Sequence, residues 1–139
     1  MSPTVPPPSP PSGPAAAPAE LVEIVQTFRF EAAHFLPNVR PGHRCMRVHG
    51  HSYQIDVHLT GALDPATGWV VDFYDIEAAF GPVMETLDHH LLNEVPGLEN
   101  PTAENIAVWV YRRLRAGGLS LVSQIVVHET GSSRAVYRG

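Results

Sequence analysis

His49 and His51 stand two residues apart at the head of a β-patterned run, and the only cysteine of the chain, Cys45, lies four residues before them. In an extended strand residues two apart share a face, so both imidazoles project together while Gly50 points the other way. Two imidazoles on one face make a metal-ligand pair. Beyond them the odd-numbered face carries Tyr53, Ile55, Val57 and Leu59, and the even-numbered face carries Ser52, Gln54, Asp56, His58 and Thr60. The histidine pair therefore heads the stripe that faces the core.

A third histidine, His34, ends the apolar stripe Val22, Ile24, Phe28, Phe30 and Ala32, interrupted only by Gln26. If the strand ending at His34 pairs antiparallel with the one beginning at His49, the three rings meet. Three neutral imidazoles with one open position are the donor set of a catalytic zinc site, and histidine ligation also suits copper, nickel or iron. A His-x-His pair alone is as compatible with chance as with ligation; His34 at the neighbouring strand end tips the balance to metal.

Cys45 sits in the loop that spans this spot. It can close the site as a fourth ligand, pack as a small hydrophobe, or act as base or nucleophile, its thiolate favoured by a nearby dication and by Arg44 and Arg47. Glu129 ends another apolar stripe, Leu119, Leu121, Ile125 and Val127. A carboxylate facing inward needs a partner. Paired N–H donors such as an aminopyrimidinone ring offers would serve, and so would an ion pair with Arg134. Asp88-His89 is a weaker signal, because adjacent residues point differently and His90 competes for the role. His43, His58 and His128 carry no feature that sets them apart.

The elements that must position these groups follow from periodicity. Strand alternation begins at Leu21 and again near His49, joined by a Pro- and Gly-containing loop over 35–48. Residues 61–68 read as a hairpin connection and Trp69-Val70-Val71 as a short strand end. A helix capped by Asp72 or Asp75 follows, with Ile76, Phe80, Val83 and Leu87 on one face, and Gly81-Pro82 should bend or weaken it. Thr102 is a good N-cap for a second helix, with Glu104 in its first turn, Ile106, Trp109, Val110 and Leu114 inward, and Gly117-Gly118 ending it. A last strand pair covers 119–130 and 134–138.

With 139 residues, 44% hydrophobic and 17% charged, the chain is long enough for one domain with a real core. Eight of its 14 prolines fall in residues 1–20, read as a disordered or polyproline-like tail ahead of a domain over 21–139. A net charge of −5 argues against a nucleic-acid surface. No apolar run is long enough to span a bilayer and no signal-peptide pattern opens the chain, so a cytoplasmic protein without membrane partners is expected.

F-E-A-A-H at 30–34, C-M-R-V-H-G-H at 45–51, D-P-A-T-G-W-V-V-D-F at 64–73, L-D-H-H at 87–90, N-P-T-A-E-N at 100–105 and H-E-T at 128–130 together resemble the 6-pyruvoyl-tetrahydropterin synthase superfamily. Within it they look most like the bacterial 6-carboxy-5,6,7,8-tetrahydropterin synthase branch of the queuosine pathway, since Cys45 and His49 are separated by only three residues, less than in the pyruvoyl branch. The resemblance covers Val25 to Gly139. It implies an α+β tunnelling fold (T-fold), a four-stranded antiparallel sheet with two helices on one face, assembling through sheet edges into a trimer or hexamer with active sites between subunits. It also implies Zn2+ on His34, His49 and His51, Cys45 as proton acceptor, and Asp88 and His89 in a charge relay. Glu129 would anchor the pterin ring and share in that relay, with Thr102 in the pterin pocket. The implied reaction is a lyase conversion of 7,8-dihydroneopterin triphosphate to 6-carboxytetrahydropterin, acetaldehyde and triphosphate. The readings that stay open are a pyruvoyl-type synthase on the same site and a non-catalytic zinc-stabilised module.

Overall fold

The computed structural model describes residues 3–7 and 20–139. Residues 3–7 form neither helix nor strand, and the remainder of the expected proline-rich tail lies outside the described residues. In chain order the elements are β1 (Leu21–His34), β2 (His49–Ala62), α1 (Phe73–Leu87), α2 (Ala103–Ala116), β3 (Val122–Thr130) and β4 (Ser133–Tyr137). The strands form one antiparallel sheet in the order β1-β2-β3-β4, with β1 and β4 as its edges.

The alternation in β1 and β2 is realised as read. Phe30, Ala32, Tyr53, Ile55, Val57 and Leu59 are buried on one face, where Ile76, Phe80 and Val83 of α1 and Ile106, Val110 and Leu114 of α2 meet them. Burying each such large apolar side chain stabilises the fold by about 1.5–3 kcal/mol. Phe28 of β1 stacks on Phe80 of α1 with ring centroids 3.9 Å apart, tying that helix to the sheet. The other face is polar: Ser52 donates to Glu31, Thr27 donates to Asp56, and His128 and His58 contact Asp56 and Glu23.

Both helices start where a side chain satisfies an end N–H. The Asp72 carboxylate accepts from Tyr74 N–H, and Thr102 Oγ1 accepts from Asn105 N–H. Gly117 caps the end of α2.

Three features differ from the sequence reading. Trp69–Val71 is not a strand; the connection closes on itself, with Asp64 N–H donating to the Trp69 carbonyl at 2.9 Å and Gly68 taking a positive φ of 76°. α1 runs through Pro82 without interruption. Proline removes the bond to the Ala78 carbonyl, but Phe80 and Val83 on either side of it are 1% and 4% exposed, so core packing outweighs the lost bond. The stripe beginning at Leu119 and Leu121 does not continue in phase. β3 starts at Val122, and an irregularity places Val122 opposite Leu59 and Gln124 opposite His58, so that Val122 is buried while Leu121 is 39% exposed.

Candidate metal centre and the cavity beside it

The β1–β2 register pairs His34 with His49 and Ala32 with His51, so antiparallel pairing alone brings three imidazoles together. Glu129 joins them from β3. It lies at a register shift in the β3–β4 pairing between His128 and Thr130, the kind of local irregularity that re-aims a side chain. One ligand atom from each of His34, His49, His51 and Glu129 can be chosen so that all four lie within 4.8 Å of one another.

Hydrogen bonds fix which nitrogens face inward. His34 Nδ1 lies 2.8 Å from the Pro101 carbonyl and His49 Nδ1 lies 2.7 Å from the Arg47 carbonyl. A carbonyl only accepts, so each Nδ1 carries the proton and donates, and in the neutral rings each Nε2 presents a lone pair. Those two Nε2 atoms are 3.0 Å apart. Glu129 Oε1, another acceptor, lies 3.3 Å from His34 Nε2 and 3.1 Å from His51 Nε2. His51 Nε2 is buried and makes no hydrogen bond, because the Glu129 contact has the distance without the alignment.

Acceptors converging on acceptors call for a proton or a cation between them. Burial works against the proton: it is the largest influence on His34 and holds its pKa below the ordinary 6.5, although the Pro101 carbonyl pulls the other way. The donor set therefore fits a divalent cation, with the carbonyls behind His34 and His49 orienting the rings as outer-shell partners of metal-bound histidines do. Tyr53 backs the group, its hydroxyl 3.2 Å from His34 Nδ1. Burial, with the Glu129 carboxylate adding to it, pushes the Tyr53 phenol up and keeps it neutral.

Cys45 is half-buried in a short 3-10 turn, Arg44–Met46, capped by His43. It stands outside the ligand set but lines the same cavity of about 480 Å³ as His49, His51 and Glu129. Arg44, Thr130 and Ser133 complete that cavity; the sequence points to Arg44 only as a charge beside Cys45 and to neither of the other two. Adjacency to Cys45 and Glu129 was the available signal. No ion pair joins Glu129 to Arg134 among the described residues.

Asp88 and His89 sit elsewhere. The 88–91 segment docks on the end of β1 through His89 N–H to the Glu31 carbonyl at 2.6 Å, Ala33 N–H to the His90 carbonyl at 3.1 Å and a bridge between Ala33 and Leu91. His89 adopts a left-handed φ of 58° there. Asp88 Oδ1 accepts from Glu31 N–H at 3.0 Å and contacts His89 Nδ1 at 2.9 Å. The Glu31 hydrogen bond first, and the His89 contact second, hold the Asp88 carboxyl below its ordinary range. The ionised Asp88 carboxylate thus sits in close contact with His89 Nδ1 and leaves Nε2 as the ring nitrogen available to other partners. That imidazole is 77% exposed and lines a second cavity, which shares only His51 with the first. Thr102 lines neither; its hydroxyl is used as a helix cap, next to the Pro101 that holds His34.

Residues 23–139 match the family model described as 6-pyruvoyl tetrahydropterin synthase. The chain is 38% identical over 119 residues to a 6-carboxy-5,6,7,8-tetrahydropterin synthase of Synechocystis, covering 82% of this chain and 91% of the relative. It is also 38% identical over 96 residues to the 6-pyruvoyl tetrahydrobiopterin synthase of Poecilia reticulata, covering 66% of this chain and 65% of that one. The solved structure of Caenorhabditis elegans 6-pyruvoyl tetrahydropterin synthase superposes with a TM-score of 0.80 at 25% identity, over 87% of this chain and 97% of that one. With sheet, helices and histidine cluster in place, these matches show that the chain belongs to the 6-pyruvoyl tetrahydropterin synthase family.

Proposed function

We propose that the domain from residue 21 to 139 is a cytoplasmic, zinc-dependent 6-carboxy-5,6,7,8-tetrahydropterin synthase. In this reading it converts 7,8-dihydroneopterin triphosphate to 6-carboxytetrahydropterin, acetaldehyde and triphosphate on the route to queuosine. The observation that carries the reading is the convergence of ring nitrogens from His34, His49 and His51, with the unprotonated Nε2 of His34 and His49 among them, on one point, with Cys45 lining the adjoining cavity. The short Cys45-to-His49 spacing and the Synechocystis relative favour the carboxy branch over the pyruvoyl branch.

His34, His49 and His51 would hold the zinc, which when bound supplies a Lewis acid toward oxygens of the substrate side chain. Glu129 accepts paired N–H donors of the pterin ring and so fixes the ring's orientation. Cys45 Sγ takes a proton from the substrate side-chain carbon, and His89 Nε2, its ring placed beside Asp88, takes a proton and returns it at another atom of the substrate. Thr102 contributes to the pterin pocket from the start of α2.

Cys45 and His89 line different cavities of the same chain, which supports an active site built between subunits. The long edge strand β1, with Leu21 and Val25 exposed, and the edge strand β4 offer the surfaces for assembly into a trimer or hexamer.

A product assay tests the reading: zinc-loaded protein with 7,8-dihydroneopterin triphosphate, pterins identified by mass and acetaldehyde trapped. Carboxytetrahydropterin with acetaldehyde is the expected result. Pyruvoyltetrahydropterin without acetaldehyde would move the protein to the other branch, and no turnover with stoichiometric zinc would leave only a binding module.

A further inference from the structure

The nine positive residues of the chain are all arginine, and their placement is uneven. Arg113 lies over the Trp109 ring at 4.7 Å, and Arg115 lies over Tyr111 and donates to the Val122 carbonyl. These have structural work. The other seven make no such contact among the described residues, and three of them, Arg40, Arg44 and Arg47, stand in one loop. They fall within the 35–48 connection, which carries no Asp or Glu, and all three are exposed. Their guanidinium groups make no hydrogen bond or ion pair among the described residues.

The loop that carries them is folded tightly. Leu36 N–H donates to the Cys45 carbonyl at 2.7 Å, His43 N–H to the Arg40 carbonyl at 3.1 Å and Arg47 N–H to the Arg44 carbonyl at 3.2 Å. Arg44 itself lines the cavity that holds Cys45 and Glu129, and the hydroxyl residues Thr130 and Ser133 line it too. An acidic protein, with a formal charge of −5, thus carries a basic lip of three unpaired arginines on one loop, of which Arg44 lines the candidate active site. Such a lip attracts and orients an anion that the rest of the surface repels.

We propose that this lip is a polyphosphate-binding subsite, with Arg44 the direct contact and Arg40 and Arg47 supporting it through their field. The inference rests on the pterin reading above and adds to it the residues that select a phosphorylated over an unphosphorylated substrate. The planar guanidinium fork matches two oxygens of a phosphate, and the Thr130 and Ser133 hydroxyls are further donors within the same cavity.

The test compares two ligands on the zinc-loaded full chain carrying Cys45→Ala, the substitution expected to stop turnover. Dissociation constants for 7,8-dihydroneopterin triphosphate and for 7,8-dihydroneopterin are read from pterin fluorescence, with and without Arg44→Met, and with Arg112→Met as a control away from the cavity. The expected result is that Arg44→Met weakens the triphosphate at least about tenfold, as loss of a charge-assisted pair does, and leaves the unphosphorylated ligand and the control unchanged. An unchanged ratio of the two constants, or an equal loss for both ligands, overturns the inference and leaves the pterin reading standing. Failure of both ligands to bind the Cys45→Ala protein overturns the pterin reading and this inference with it.

Discussion

His34 and His49 are cross-strand partners whose Nε2 atoms lie 3.0 Å apart while each Nδ1 is pinned to a backbone carbonyl. Neither ring can turn to offer its neighbour a proton without breaking its carbonyl bond. The pair is therefore preorganised for a cation, and Cys45, outside the ligand set, is not needed to hold it. Two substitutions separate these roles. His49→Ala is expected to abolish stoichiometric zinc, whereas Cys45→Ala keeps the zinc and lowers turnover by about 10²–10⁴-fold, the usual cost of losing a positioned base. Elemental analysis beside the product assay checks both; loss of zinc from Cys45→Ala would place the thiol among the ligands.

Glu129 is a quarter exposed, faces the Cys45 cavity and reaches the histidine cluster. In the pterin reading its charge is used by the ring's N–H donors. Glu129→Gln keeps the shape and removes the charge, so pterin affinity should fall by about 1.5–3 kcal/mol, roughly ten- to a hundredfold, with a much smaller change in thermal stability. Unchanged affinity for 7,8-dihydroneopterin in a fluorescence titration would remove Glu129 from the ring pocket.

The histidine cluster was legible in the sequence because it depends only on strand period and antiparallel pairing. His34 ends one even stripe, His49 and His51 head an odd one, and a single loop joins them. Glu129 was legible for a partly different reason: the stripe drawn back to Leu121 fails at the irregularity near Ser123, but Ile125 and Val127 lie beyond it on the core face, and Glu129, at the second irregularity, still reaches the histidines. Alternation cannot reveal an inserted residue. The strand expected over Trp69–Val71 is absent because Val70 and Val71 reach half-buried positions, Val71 against the core, from a bend as well as they would from a strand once Gly68 supplies the positive φ. The Asp56–His128 contact was invisible because it joins residues 72 positions apart on the polar face, where no apolar pattern fixes a partner.

Asp88 and His89 make a prediction about assembly. The imidazole is exposed and faces a cavity other than the one Cys45 lines, so in the proposed reading the base of one chain works with the relay of another. Cys45→Ala and His89→Ala homo-oligomers should each be inactive. Dissociated, mixed and reassembled, they should recover part of the parental turnover, because some sites then combine an intact Cys45 from one chain with an intact His89 from another. No recovery in mixtures that mass measurement shows to be hetero-oligomeric would mean that both groups act within one chain.

On the polar face, Asp56 gives a pH dependence of defined sign. Burial on its own would raise its carboxyl, but hydrogen bonds from Thr27, His128 and Gln54 outweigh burial and hold it below its ordinary 3.8. The folded protein therefore binds the proton less readily than the unfolded chain. The stabilisation is fully present above the unfolded pKa, near 3.8, and is lost as pH falls through the lower folded value. In Asp56→Asn the carboxylate is gone, so the variant should be less stable than the parent near neutrality, and the gap should narrow as pH drops below about 4. Thermal unfolding of both proteins across that range is the check: a gap that stays constant with pH would mean that Asp56 stabilises the sheet through shape and not through its charge.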